Sequence, residues 1–291
     1  MTTGDARLYD LGYRRYDGPR DRPARAILTL AEFTARRVLG IGRGARHKVL
    51  PALTLVIAYL PALASVLYAV FAKDIVGGDL ITYGDYMFII GSALALFAAL
   101  VAPEALCPDK RTGMLGLYLA GPIDRNRYLI AKGAGVLSAM LLITVGPLLF
   151  MLLAFFLAGL GPSVTETLEL LVRIFAAGTV TALLYAALSM AVSSFTTRRA
   201  AAAVGVVLLL FVPTSVVRPA IESGGAPNEL DLLSSPIAVS ELAYRIFGES
   251  SDGSDPVAEL STWLVAGGVV GTILAGAAIC WLRYRRLEGF R

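Results

Sequence analysis

The sequence predicts an all-α integral membrane protein with six transmembrane helices. An N-terminal amphipathic interfacial helix precedes them, a short cytoplasmic helix joins the second to the third, and an exterior segment separates the fifth from the sixth. Three observations carry this prediction. Hydrophobic residues make up 56% of the chain and charged residues 16%, whereas soluble domains have roughly 45–50% and about 25%. Six windows contain no Asp, Glu, Lys, Arg or His: Val49–Ala72, Tyr86–Pro103, Gly133–Thr165, Ile174–Thr197, Ala200–Val217 and Leu260–Leu282. Each is long enough to cross a hydrocarbon core of about 30 Å as a helix, which also satisfies its own backbone polar groups. The basic residues, finally, fall almost entirely on one side of those windows.

Residues 1–48 read as a cytoplasmic tail that ends in the interfacial helix. The opening DARLYDLGYRRYDGPRDRP has the Tyr-Asp and Gly-Pro pairs of turns and extended backbone. From Ala24 to Leu39 the apolar Ile27, Leu28, Leu30, Ala31, Val38 and Leu39 mix with Arg25, Arg36 and Arg37. That mixture suits a helix lying among lipid headgroups. Gly40, Gly42 and Gly44 break it, and Arg43, Arg46 and Lys48 anchor the start of helix 1. Pro61 is placed to bend helix 1. Turns fall at Gly77–Gly78 between helices 1 and 2 and at Gly161–Pro162 between helices 3 and 4, and Thr197–Arg199 joins helices 4 and 5. Arg218–Glu259 is the largest exterior element; its stretch LLSSPIAVSELAYRIF is apolar enough to lean back on the membrane. Residues 49–282 thus form the membrane domain and 283–291 a basic cytoplasmic tail.

Charge sets the expected orientation. The first 48 residues hold eleven Lys or Arg, Glu104–Lys132 five, Arg198–Arg199 two and the stretch after Leu282 four, together 22 of the 26 basic residues. The other side keeps Lys73, Arg173, Arg218 and Arg245 with 13 of the 22 acids. Both termini are therefore expected in the cytoplasm. An Arg-to-Lys ratio of 22 to 4 with much Ala and Gly reads as a GC-rich bacterial gene, hence a plasma-membrane protein. The basic pI of about 9.1 follows from this sidedness and calls for no nucleic acid. No cleavable signal pattern is visible, and no disulfide is expected between Cys107 and Cys280.

Searches for chemistry give no catalytic residue and no metal site. There is no phosphate-binding G-x-x-x-x-G-K-[ST] loop, no H-E-x-x-H and no G-x-S-x-G, and His47, the single histidine, sits between Arg46 and Lys48. The chain itself therefore needs no cofactor. Ion-coupled carriers usually bind their driving ion on a buried Asp, Glu or His. Here Asp85, Glu104 and Arg173 fall only at window edges, where snorkelling explains them, and Glu169 stands four residues before Arg173. Driving force has to arrive from outside.

The Glu104–Lys132 connection is where it can enter. Asp109 or Thr112 can cap a short helix on which Met114, Leu115, Tyr118 and Leu119 form one apolar stripe, with Asp109-Lys110-Arg111 exposed at its start. Gly121-Pro122 ends that helix, and Asp124 is a good N-cap for the next. At these residues the chain resembles the permease subunits of type-2 ABC exporters. The matching positions are Asp109-Lys110-Arg111-Thr112-Gly113-Met114-Leu115, Leu117-Tyr118-Leu119, Gly121-Pro122-Ile123-Asp124-Arg125 and Lys132. Gly116 stands where the family often has Glu, and Asp109 precedes the basic pair where an acid usually follows it. The resemblance implies that this element is a coupling helix docking on a separate ATP-binding subunit, which would hold the ATP and magnesium. It also implies a second permease subunit, identical or homologous, in the same bilayer.

In such permeases the path runs between two subunits along helices 2 and 5. Candidate pathway residues are Ser92, Thr214 and the i, i+4 stripe Thr181, Tyr185, Ser189. Such stripes also tie helices together. A charge-free path suits amphiphilic, drug-like or lipid-like cargo. The rival expectations are an ion-coupled secondary transporter and a non-transporting membrane scaffold for cytosolic partners.

Overall fold

The structure, a computed structural model, describes residues 23–72, 81–120, 123–161, 163–251 and 255–286. The tail before Pro23, Gly77–Gly78, Gly121–Pro122, Pro162 and the last five residues lie outside them, as do the side chains of Leu117 and Leu119. Among the described residues there is no strand. The elements are α1 (Pro23–Val38), α2 (Val49–Leu67), α3 (Tyr83–Ile89), α4 (Gly91–Leu100), α5 (Cys107–Arg111), α6 (Met114–Ala120), α7 (Arg125–Leu157), α8 (Val164–Ser193), α9 (Arg199–Glu222), α10 (Ser235–Phe247) and α11 (Thr262–Arg286).

Six helical stretches are long and apolar enough to cross a membrane: Val49–Phe71, Tyr83–Arg111, Arg125–Leu157, Thr165–Ser193, Arg199–Glu222 and Thr262–Arg286. The first runs through Pro61 and widens to a π-helix over Tyr68–Ala72. The third is the longest; its 33 residues reach about 50 Å at 1.5 Å each, so its first turns stand clear of the hydrocarbon. Local chemistry sets several starts. Thr82 and Asp85 form a capping box at α3, Ser163 and Glu166 another at α8, and Asp124 Oδ1 accepts from Arg127 N at 2.8 Å at the start of α7, as expected.

The fourth span, α8, is the hub, packing against α7, α9, α10 and α11 and also meeting α4. The second span is the most enclosed, with 67% of its apolar window buried, against 17% for α9. Outer spans with that much bare apolar surface face lipid or another subunit. The amphipathic α1 is docked on the bundle. It packs along α7 through Leu30, Thr34 and Val38, all buried, while Leu28 and Phe33 stay exposed. Gly135 of α7 permits this closeness: a Cβ there would stand 2.6 Å from Ala31 O and from Thr34 Cβ.

One expectation needs correction. Glu104–Asp109 is not part of a surface connection; it belongs to the buried end of the second span, and only Arg111 beyond it is exposed. The reason is that its acidic groups are neutralised by partners distant in sequence. The segment between the fifth and sixth spans contains α10, whose Ala238–Tyr244 are all buried against α3, α8 and α11.

Candidate functional site

The second span ends in a series of tightened turns. After α4 come a 3-10 turn over Ala102–Ala105 and then α5, with Pro103 and Pro108 in their first turns. A proline there loses no helical hydrogen bond but interrupts the ladder of the preceding helix. Thr112 is not an N-cap; it closes α5, its Oγ1 donating to Pro108 O at 2.8 Å. Gly113, at φ +71°, then turns the chain into α6, a backbone conformation that residues with a Cβ rarely adopt.

These turns drive two carboxylates inward. Asp109 is 1% exposed, so of the expected exposed cluster Asp109 is interior, Lys110 half-buried and only Arg111 open. Asp109 Oδ1 faces Arg37 Nη1 at 2.8 Å; its Oδ2 lies 2.6 Å from Lys132 Nζ and accepts from Tyr128 OH at 3.0 Å. Glu104 pairs with Arg43 on one oxygen and Arg199 on the other, with Arg37 Nε at 3.7 Å. Snorkelling therefore does not describe Glu104. Asp85, likewise, is fixed by the phenol of Tyr244 at 2.8 Å, and Arg173 donates to Phe247 O besides pairing with Glu169. Lys110 Nζ donates to the carbonyls of Ser193 (3.0 Å), Ser194 and Thr196 (3.4 Å) at the C-terminal end of α8. A lysine there satisfies orphan carbonyls and complements the helix dipole.

An aromatic row backs the carboxylates. Tyr118 and Tyr128 stand 5.6 Å apart between ring centroids, Tyr128 and Tyr284 6.0 Å. Lys132 Nζ lies 5.7 Å from the Tyr118 ring and 5.5 Å from Tyr128, and Lys110 Nζ lies 5.4 Å from Tyr284. These separations allow cation–π attraction in a desolvated setting. Burial, reinforced by the charge of Asp109, pushes the Tyr118 phenol above its ordinary pKa, so it stays neutral. Leu115 and Tyr118 pack on Leu30, Leu106, Tyr128 and Tyr284. The expected outward stripe is therefore split. Leu115 and Tyr118 face their own chain, whereas Arg111, Thr112, Gly113, Met114 and Gly116 are exposed and form the accessible tip.

The candidate pathway residues also divide. Ser92, Thr181 and Tyr185 line one cavity of about 150 Å³ together with Phe211 and, from α10, Ile237 and Ser240. Ser189 is elsewhere, its hydroxyl tying α8 to Ala98 O at 2.7 Å. Thr214 donates back to Leu210 O at 3.5 Å within α9. Thr181 Oγ1 is buried with no hydrogen-bond partner among the described residues. Sequence reasoning missed the α10 wall, because it set that apolar stretch against the membrane and not against the second and fourth spans. It also missed Arg37, Arg43 and Arg199 as partners of Glu104. The available signal was a lone acid inside an otherwise apolar stretch on the basic side.

Among the described residues no group of three or more His, Cys, Asp or Glu could hold a metal, and Cys107 and Cys280 are free thiols. The search of curated proteins gives no match. The family described as ABC-2 family transporter protein matches residues 28–288, from the middle of α1 past the end of α11. The chain therefore belongs to the ABC-2 transporter family, as a membrane-spanning permease.

Proposed function

We propose that this permease couples ATP hydrolysis on separate ATP-binding subunits to export of an amphiphilic, drug-like or lipid-like substrate. ATP and magnesium would sit on those subunits, and a second permease, identical or homologous, would complete the path. The observation that carries this reading is the joint around Asp109. The exposed tip at Arg111–Met114 follows directly on residues bonded to α1 through Arg37, to α7 through Lys132 and Tyr128, and to α8 through Lys110. A push on the tip cannot be absorbed locally and passes to three helices at once. Family membership supports the ATP-binding partner. The apolar cavity holding Ser92, Thr181 and Tyr185 suits cargo with an apolar body and a hydroxyl or carbonyl group. Ion coupling is disfavoured because the carboxylates of Glu104 and Asp109 are each engaged by basic partners of the same chain.

Replacing Arg111 with Glu and Met114 with Asp tests the docking. Both side chains are exposed, so membrane insertion should be unchanged while substrate-stimulated ATP hydrolysis in liposomes falls at least about tenfold, the loss of roughly 1.4 kcal/mol of coupling. Coupled transport at the original rate would refute the proposal. So would transport that survives removal of the ATP-binding subunit and collapses with the proton gradient.

A further inference from the structure

An open cavity of about 740 Å³ lies at the basic end, lined by Arg37, Arg43, Arg111, Arg198 and Arg199 with Ala200 beside them. The two buried carboxylates behind it, Glu104 and Asp109, hold Arg37, Arg43 and Arg199 in place. Arg111 and Arg198 have no carboxylate partner among the described residues. Five guanidinium groups against two carboxylates leave a wall of net charge +3, to which Lys132 behind Asp109 adds. Arg37 Nε, buried, has no hydrogen-bond partner among the described residues. The first turn of α9, on the same wall, has no side-chain cap. We infer that this cavity binds the phosphate of an anionic phospholipid headgroup.

Chemistry and position both select that ligand. Converging guanidinium groups match phosphate oxygens through paired N–H donors, and open helix amides favour the same charge. The depth is that of the headgroup layer. The apolar run of the fifth span starts at Ala200, directly after the arginine pair, and exposed Leu50 of α2 shares a neighbouring cleft with Arg37, Arg43 and Arg199. From Ala200 an exposed stripe of Val204, Leu208 and Phe211 descends along α9, at the spacing of one helix face. An acyl chain can lie there with its phosphate among the arginines. The inference rests on charge and membrane depth and does not need the coupling reading.

The test uses the full-length protein in mild detergent, titrated separately with short-chain phosphatidylglycerol, short-chain phosphatidylcholine and glycerol 3-phosphate. Bound lipid is counted by native mass spectrometry. Phosphatidylglycerol should be retained; phosphatidylcholine, with no net charge, and glycerol 3-phosphate, with no chains, should not. Arg111→Gln combined with Arg198→Gln should weaken retention about fivefold for each charge removed. The matching pair of Lys substitutions should keep most of it. Equal retention of the two lipids, or wild-type retention by the Gln pair, overturns the inference. Binding of glycerol 3-phosphate as tight as that of the lipid assigns the cavity to a soluble anion and overturns the lipid. Loss of the preference on adding the ATP-binding subunit assigns the arginines to that partner. Should the Gln pair aggregate, the wild-type protein still decides: retention indifferent to added salt refutes a charge-selected headgroup.

Discussion

The two ends of the helix bundle solve the same problem, holding helices that lipid cannot press together, in opposite ways. At the basic end the fasteners are buried charges from distant parts of the chain: Asp109 joins Arg37 and Lys132, and Glu104 joins Arg43 and Arg199. At the other end two of the four ion pairs among the described residues are local turns of one helix, Glu169 with Arg173 and Glu241 with Arg245. The long-range ties there are largely hydrogen bonds to helix ends: Glu249 accepts from Tyr83 N at 3.2 Å and Gly84 N at 2.6 Å, and Arg245 donates to Val257 O and Ala258 O. The other two ion pairs, both from Arg218, cross elements to Asp231 and Asp255. A buried ion pair adds little net stability but is costly to break halfway, so it resists small displacements. Hydrogen bonds at partly exposed helix ends can be exchanged for water. The basic end is thus built as a stiff joint and the other as a cover that can be reseated.

The largest effect should come from breaking that joint. Asp109→Asn leaves Lys132 and Arg37 without their counter-charge and should cost about 3–5 kcal/mol. Thermal unfolding in detergent reads this, and Asp109→Leu together with Lys132→Met should recover part of the loss. An unchanged melting point for Asp109→Asn would show that the joint is not stiff. Glu249→Ala, at the cover, should cost about 1 kcal/mol, the value of a helix cap. Its signature is faster hydrogen exchange confined to α3 and α10, with the amides of α1 and α5 unaffected; a spread to the basic end would erase the contrast between the two ends. Glu169→Gln removes an exposed i, i+4 pair and should change stability by no more than about 0.5 kcal/mol. A larger loss would mean that this pair also fixes Arg173 on Phe247 O.

The spans were legible because lipid imposes a simple rule: roughly twenty residues without a charge. Asp124 as the cap of α7 was equally legible, since capping depends on neighbours in sequence. The end of the second span was not. Glu104 and Asp109 look like the residues that stop a membrane helix, and only partners 61 and 72 positions away reveal them as interior. The stripe at Met114–Leu119 failed for a related reason. Periodicity identifies a helical face but not its neighbour, and here Leu115 and Tyr118 turn toward Tyr128 and Leu106. Of the candidate pathway residues, Ser92, Thr181 and Tyr185 share a cavity while Ser189 and Thr214 spend their hydroxyls on backbone carbonyls. Hydroxyl spacing cannot tell those outcomes apart.

The clamp of Asp109 between Arg37 and Lys132 also sets an order of events during biosynthesis. Arg37 leaves the ribosome 95 residues before Lys132, an interval of roughly 5–20 s at ordinary elongation rates. For that time α1 has neither α7 nor Gly135 to lie against. An amphipathic helix is suited to such a wait, because the headgroup layer accepts both its arginines and its exposed Leu28 and Phe33. Its docking then becomes the step that closes the nascent bundle, possible only once the third span has been threaded into the bilayer.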